Sequence, residues 1–229
     1  MKKLVSWILA SVFAVSAAIA LSACSKQERI TVAIPNDTTN EARALLLLQE
    51  NGLITLKEGA GITATIRDID SNPQNVTFQE VEAAQLPNVL QDVDYAVINS
   101  NYAIEAGIHP VEDSLAIEGS ASSYGNILAV KAGNEDSGKT KALKAALESR
   151  QVADYISETY GGAVVSVVEN PGDGYDASVD YESLAGATIT VAASPAPHAE
   201  ILKIAKEILA ARSITLDIKE FTDYVQPNN

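Results

Sequence analysis

Short β-branched runs alternate with amphipathic stretches along most of this chain, and two of the runs open identically: "ITVA" stands at residues 30–33 and again at 189–192. Parallel strands cannot be joined by tight turns, so strand, loop and helix in repeating order predict an α/β fold whose mostly parallel sheet is covered on both sides. "RITVAIPND" reads as a strand running into a turn. "TTNEARALLLLQENG" reads as a helix, with Thr38 and Glu41 spaced as a capping box, Ala42, Leu45, Leu46 and Gln49 on one face, and Gly52 as its stop. "ITATIRDI" alternates as a strand does, and "VTFQEVEAAQLPNVL" reads as a strand leading into a short helix. "DYAVINSNYAIEAG" is a buried strand followed by a helix, and "YGNILAVKAG" is a further strand. Residues 139–160 form a two-part helix with charges around its outer faces.

The stretch "ENPGDGYDASVDYESLAG", residues 169–186, is rich in Gly, Asp, Ser and Tyr and breaks the periodicity, which reads as a linker. Beyond it, "TITVAASPAPHAEIL" enters a second strand, loop and helix. Ile201, Ile204, Ala205 and Ile208 make its stripe, and "SITLDIKEF" is an alternating strand. The repeated "ITVA" fits two ordinary βα units sharing a strand sequence. It fits equally two pseudo-equivalent lobes whose helix N-termini face one another across a cleft and favour a carboxylate.

The first residues are not part of this fold. Lys2 and Lys3 precede an apolar run from Leu4 to Ile19, and Leu21, Ser22 and Ala23 lead to Cys24. This is a secretory signal, residues 1–23, too short for a stable span and ending in a lipobox that makes Cys24 the lipidated first residue of the mature chain. Cys24 is the single cysteine, so the exported chain has no internal disulfide and acyl attachment accounts for it better than redox chemistry. Removing residues 1–23 takes away two lysines and no acid, leaving 14 basic against 30 acidic residues, net −16. Such a surface repels nucleic acid and anionic headgroups, which excludes nucleic acid as a partner and holds an anchored protein off the membrane it is tied to.

The chain offers little to an enzyme. His109 precedes Pro110 after a helix and His198 begins one, both positions where a histidine caps or faces solvent. No serine lies in a nucleophile elbow, no His or Cys pair has metal-ligand spacing, and the glycine patterns "GAGIT" and "NPGDGYD" lack a phosphate-loop lysine, so neither metal nor cofactor is expected. A site for a free amino acid is better supplied. It needs a cation for the carboxylate, polar acceptors for the ammonium and an apolar slot. Arg43, in the first turns of the helix after "IPND", is either that cation or a surface arginine paired with Glu50 or another acid. Asn99 and Asn101 follow a buried strand, where α/β sheets place ligand residues. Asn126 sits within an apolar run where a buried amide must find partners.

At length the residues show a likeness. "AIPNDTTNEARALLLLQENGLITLKEGAGITATIRDI", "FQEVEAAQLP", "DVDYAVINSNYAIEAG" and "SSYGNILAV" resemble the later part of the methionine-binding lipoproteins of the NlpA/MetQ type, and residues 189–228 resemble the beginning of the same mature proteins. The resemblance implies a periplasmic-binding-protein fold of type II, two α/β lobes around a cleft, on a lipid-anchored protein outside the cytoplasmic membrane. It implies delivery of methionine or a related amino acid to the permease of an ABC importer, with ligand contacts at Arg43, Asn101, Asn126 and Tyr224, and also at Asn99 and Asn36. The order of the two parts is reversed relative to the family, and an aromatic and histidine-bearing segment between them has no counterpart in this sequence. The expected organisation is therefore 24–168 as the later part, 169–186 as a junction between two family copies, and 187–229 as the beginning, an incomplete version of the fold. The alternative is a lipoprotein fragment or remnant of a tandem protein that binds nothing.

Overall fold

A computed structural model describes residues 29–119 and 124–228. The signal, Cys24 and residues 120–123 lie outside this range. In the first half, strand β1 (Ile30–Pro35) lies between β4 (Val76–Val81) and β5 (Tyr95–Ala96) and pairs with both in parallel, Ile30 opposite Val76 and Val32 opposite Tyr95. Val32, Ala33 and Ile34 are fully buried, which is why this strand reads as a continuous apolar run. Helix α1 (Thr38–Glu50) covers it with Ala42, Ala44, Leu45 and Leu48, while Leu46 and Gln49 of the expected face are only half-buried. The capping box expected of Thr38 and Glu41 does not form. Asp37 takes the cap one residue earlier, its carboxylate accepting from the Asn40 N–H at 3.0 Å, and Glu41 is buried with Oε1 accepting from the Ile66 N–H at 2.9 Å. Gly52, at φ +72°, stops the helix as expected.

The strand expected over 62–69 is mostly two single 3₁₀ turns, Gly61–Thr63 and Ile66–Asp68. Asp68 turns the chain back by accepting from both the N–H and the hydroxyl of Thr65 at 3.0 Å, a local bond that competes with any ladder. What remains is β3 (Ile69–Ser71), antiparallel to β2 (Thr55–Leu56). Short helices α2 (Leu86–Val89), α3 (Ser100–Glu105) and α4 (Pro110–Asp113) complete this half.

The second half has its own core. Helices α5 (Gly138–Leu147) and α6 (Arg150–Tyr160) are the expected two-part helix, divided at Ser149, whose hydroxyl caps α6 by accepting from the Val152 N–H. They pack on helix α7 (Glu200–Ala210), which links the parallel strands β6 (Thr188–Ala193) and β7 (Thr215–Glu220). Leu143, Ala146, Leu202, Ala205, Leu209, Ile214 and Leu216 fill the space between. The single parallel sheet expected from the alternation is thus two small parallel sheets, each with helices against it.

The segment 169–186, expected as a linker, is irregular but packed. Val179, Tyr175, Tyr181 and Leu184 join the core of the second half, Gly172 exchanges backbone hydrogen bonds with Glu148 and Arg150, and the Arg212 guanidinium lies 4.4 Å from the Tyr175 ring centroid. The strand expected over 124–133 does not form: residues 124–131 are irregular, Asn126 is exposed and Ile127 is 86% exposed. Val165 and Val167 are similarly exposed in another irregular run. A strand exists only by its partner's hydrogen bonds, and neither run is paired with a strand among the described residues.

Gly174 tests the packed state of 169–186. Its φ is +93°, and a Cβ there would meet Ile208 Cγ2 at 2.8 Å, whereas Gly162 at φ +97° faces open space. Gly174→Ala should cost about 2–4 kcal/mol, from a left-handed backbone plus overpacking, and lower the melting midpoint by about 4–16 °C. Gly162→Ala should cost about 1–2 kcal/mol. Equal, small shifts for the two would show the segment to be a free tether.

Candidate functional site

The two halves meet around the start of α3. β1 and β5 run in parallel, so the residues leaving their C-terminal ends, Asp37 and Asn99, emerge side by side. Asp37 caps α1 and also accepts from Asn40 Nδ2, at Oδ1 2.9 Å and at Oδ2 3.0 Å away. Asn40 Oδ1 in turn accepts from Asn99 Nδ2 at 2.7 Å. Two residues on, Asn101 is 6% exposed and its Oδ1 accepts from the Tyr224 hydroxyl at 2.7 Å. Tyr224 stacks at a tilt on Tyr102, ring centroids 5.1 Å apart, and Glu105 of the same helix accepts from the Ala196 N–H at 3.5 Å. Residues from near both ends of the described chain therefore close on α3.

Two atoms of this cluster, Asn99 Oδ1 and Asn101 Nδ2, are buried and have no hydrogen-bond partner among the described residues. Burying an amide atom without a partner costs about 1–3 kcal/mol, so a pair of them, one acceptor and one donor, marks a place shaped for something else. Arg43 stands one turn along α1 from Asn40. Its Nε donates to Glu118 Oε2 at 2.7 Å, Nη2 reaches the same oxygen, and its guanidinium lies 5.1 Å from the Tyr124 ring centroid. Arg43 is thus paired with an acid of the protein, Glu118 rather than Glu50.

Of the residues expected at the site, Asn99, Asn101 and Tyr224 come together and Arg43 lies on the adjoining helix. Asn36 is exposed and contributes only its backbone N–H, to Val81 O at 2.9 Å, and Asn126 is exposed in an irregular run rather than buried in a strand. Asp37, Asn40, Tyr102 and Glu118 were not foreseen. The spacing Asp37, Asn40, Arg43 along one side of a helix was the available signal. Of the two histidines, His109 precedes α4 as a cap residue and is exposed, and His198 Nδ1 lies 2.5 Å from the Ser194 hydroxyl with its pKa lowered by burial.

Burial, aided by the charge of Glu105, pushes the Tyr102 hydroxyl up to about 12, and burial first, then its neighbour Tyr102, pushes Tyr224 higher still. Tyr160 is raised by burial and by its bond to Glu200 at 2.5 Å. Folded values above the ordinary 10 mean that the neutral hydroxyls add stability complete below pH 10 and lost as pH rises toward and beyond about 12. Ultraviolet titration should show Tyr102, Tyr160 and Tyr224 ionising above the ordinary value of 10, with the melting midpoint falling from pH 10 upward. Tyr224→Phe should remove one late-titrating group and cost about 1–3 kcal/mol by stranding Asn101 Oδ1. A uniform titration near pH 10 would contradict this packing.

Comparison with known proteins follows the same outline. The family model described as NlpA lipoprotein matches residues 21–168 and 189–229. Membrane lipoprotein TpN32 of Treponema pallidum is 49% identical over 135 residues, 59% of this chain and 50% of that protein. The D-methionine-binding lipoprotein MetQ of Yersinia pestis is 40% identical over 136 residues, 58% of this chain and 50% of that protein. The solved structure of a nutrient binding protein from Burkholderia cenocepacia bound to methionine aligns with a TM-score of 0.59 at 45% identity, over 60% of this chain and 58% of that one. The chain spans about half the length of the curated relatives it matches.

Proposed function

The chain belongs to the NlpA lipoprotein family, and on that premise we propose that it is an extracytoplasmic, lipid-anchored substrate-binding protein that hands methionine or a related amino acid to an ABC importer. It works by binding, with no bond made. Its α/β fold is shared with periplasmic substrate-binding proteins, among them one solved with methionine bound. The observation that carries the reading is the pair of buried amide atoms at Asn99 and Asn101 that have no partner among the described residues, with Tyr224 bonded to Asn101 and Arg43 on the helix whose Asn40 bonds Asn99. Such a place supplies an acceptor for an ammonium, a donor and a cation for a carboxylate, and ring faces for an apolar side chain. We assign Arg43, Asn99, Asn101 and Tyr224 to ligand contact, with Asn36 and Asn126 brought in only when the cleft closes, and the closed form as the one that docks on the permease.

Cys24 is the anchor in this reading. Among the described residues no helix is long and apolar enough to cross a membrane, and attachment in this reading rests on acyl chains at Cys24. Cys24→Ser should move the protein from the membrane fraction to the soluble fraction on ultracentrifugation, and continued membrane association would place the anchor elsewhere.

A second reading, a lipoprotein that takes up no free amino acid, is favoured by one contact: a carboxylate of the protein itself, Glu118, already holds Arg43. Thermal unfolding of the purified protein with a panel of amino acids separates the two. Methionine at 100 times its Kd should add about 2.7 kcal/mol and raise the midpoint by about 5–11 °C. A cooperative melt indifferent to every amino acid supports the second reading.

A further inference from the structure

The amide orientations around α3 are dictated by charge, and their order along the chain of bonds is informative. A carboxylate only accepts hydrogen bonds. Asp37 therefore holds the Asn40 amide by its nitrogen, with both carboxylate oxygens within 3.0 Å of Nδ2, and only Asn40 Oδ1 is left to face Asn99. That oxygen requires a donor, so Asn99 turns its Nδ2 to it at 2.7 Å, and Asn99 Oδ1 is the atom left buried and unpartnered. On the other side the Tyr224 hydroxyl donates to Asn101 Oδ1, so Asn101, 6% exposed, is left with its nitrogen.

We infer that Asp37 is a positioning residue that sets the polarity of the site: through Asn40 it makes Asn99 present an acceptor, for the ammonium of an α-amino acid, beside the donor that Asn101 presents to a carboxylate oxygen. The inference rests on the amino-acid reading above and adds to it a discrimination, for a free ammonium and against the same acid without one. Asp37 never touches the ligand. Its substitution by asparagine keeps an N-cap acceptor for Asn40 N–H. It also places an NH₂ where Oδ2 was; Oδ1, which accepts from both the Asn40 N–H and Nδ2, still favours the present orientation while the NH₂ opposes it, so Asn40, and Asn99 after it, are no longer held to one orientation. Serine at the same position caps the helix but imposes no orientation on Asn40.

Isothermal titration of the full-length protein and its Asp37→Asn and Asp37→Ser variants, with L-methionine and with 4-(methylthio)butanoic acid, reads this directly. Asp37→Asn should weaken L-methionine about threefold or more relative to the desamino acid, since the acceptor facing the ammonium is no longer held in place. Asp37→Ser should do the same. A role confined to capping predicts a lower melting midpoint and equal weakening of both ligands, and equal weakening, or none, overturns the inference. If the unsubstituted protein binds neither ligand, the amino-acid reading fails and the relay is judged separately, by hydrogen exchange of the Asn99 side-chain NH₂ in NMR. Protection lost in both variants upholds the relay, and unchanged protection overturns it.

Discussion

Parallel pairing governs both halves of this protein. β1 has a parallel neighbour on each side, and β6 runs parallel to β7, so every return of the chain between these parallel strands has to travel over a sheet face. In the first half that requirement aligns the C-terminal ends of β1 and β5, and the polar residues that follow each strand meet there: Asp37 and Asn40 from one, Asn99 and Asn101 from the other. In the second half it sends α7 across β6 and β7 and brings the chain out at Tyr224, within reach of Asn101. The cluster at α3 is a product of chain direction first and of side-chain chemistry second.

That cluster is also where the fold accepts a local loss. Two polar side chains buried elsewhere are satisfied, Glu41 by the Ile66 N–H and Ser149 by the Val152 N–H. Around α3 two amide atoms are not, and the tyrosines beside them are pushed toward staying neutral. Under the proposed function such a place is incomplete alone, and the stability it withholds returns when a ligand binds. Arg43 shows the opposite solution, a cation already held by Glu118, which an incoming carboxylate would have to displace.

How much of this was legible in the sequence depends on where each residue's partners lie. β1, β4, the two-part helix, α7 and β7 follow from periodicity because each buries a continuous face against its neighbours. The strands read over 62–69 and 124–133 have suitable composition, but one loses to the Thr65–Asp68 bond and the other finds no partner. Glycine, aspartate and tyrosine made 169–186 read as a linker, and the same tyrosines bind it to the core through Arg212. At the site, Asn99, Asn101 and Tyr224 were reachable from strand ends and family likeness. Asp37 was not, since a capping aspartate and one that also orients an amide have the same sequence.

The exposed runs at 124–131 and 163–168 bear on how the molecule behaves in solution. Ile127, Val165 and Val167 lie on chain whose backbone groups are unclaimed by any sheet, the features that let one protein template another. What opposes such contact is the charge of −14, spread over a surface with few basic residues to offset it. That repulsion reaches about 10 Å at 0.1 M salt and about 3 Å at 1 M. Colloidal stability is therefore set by the ionic medium: dilute buffer keeps copies apart, and brine lets these exposed irregular runs find one another.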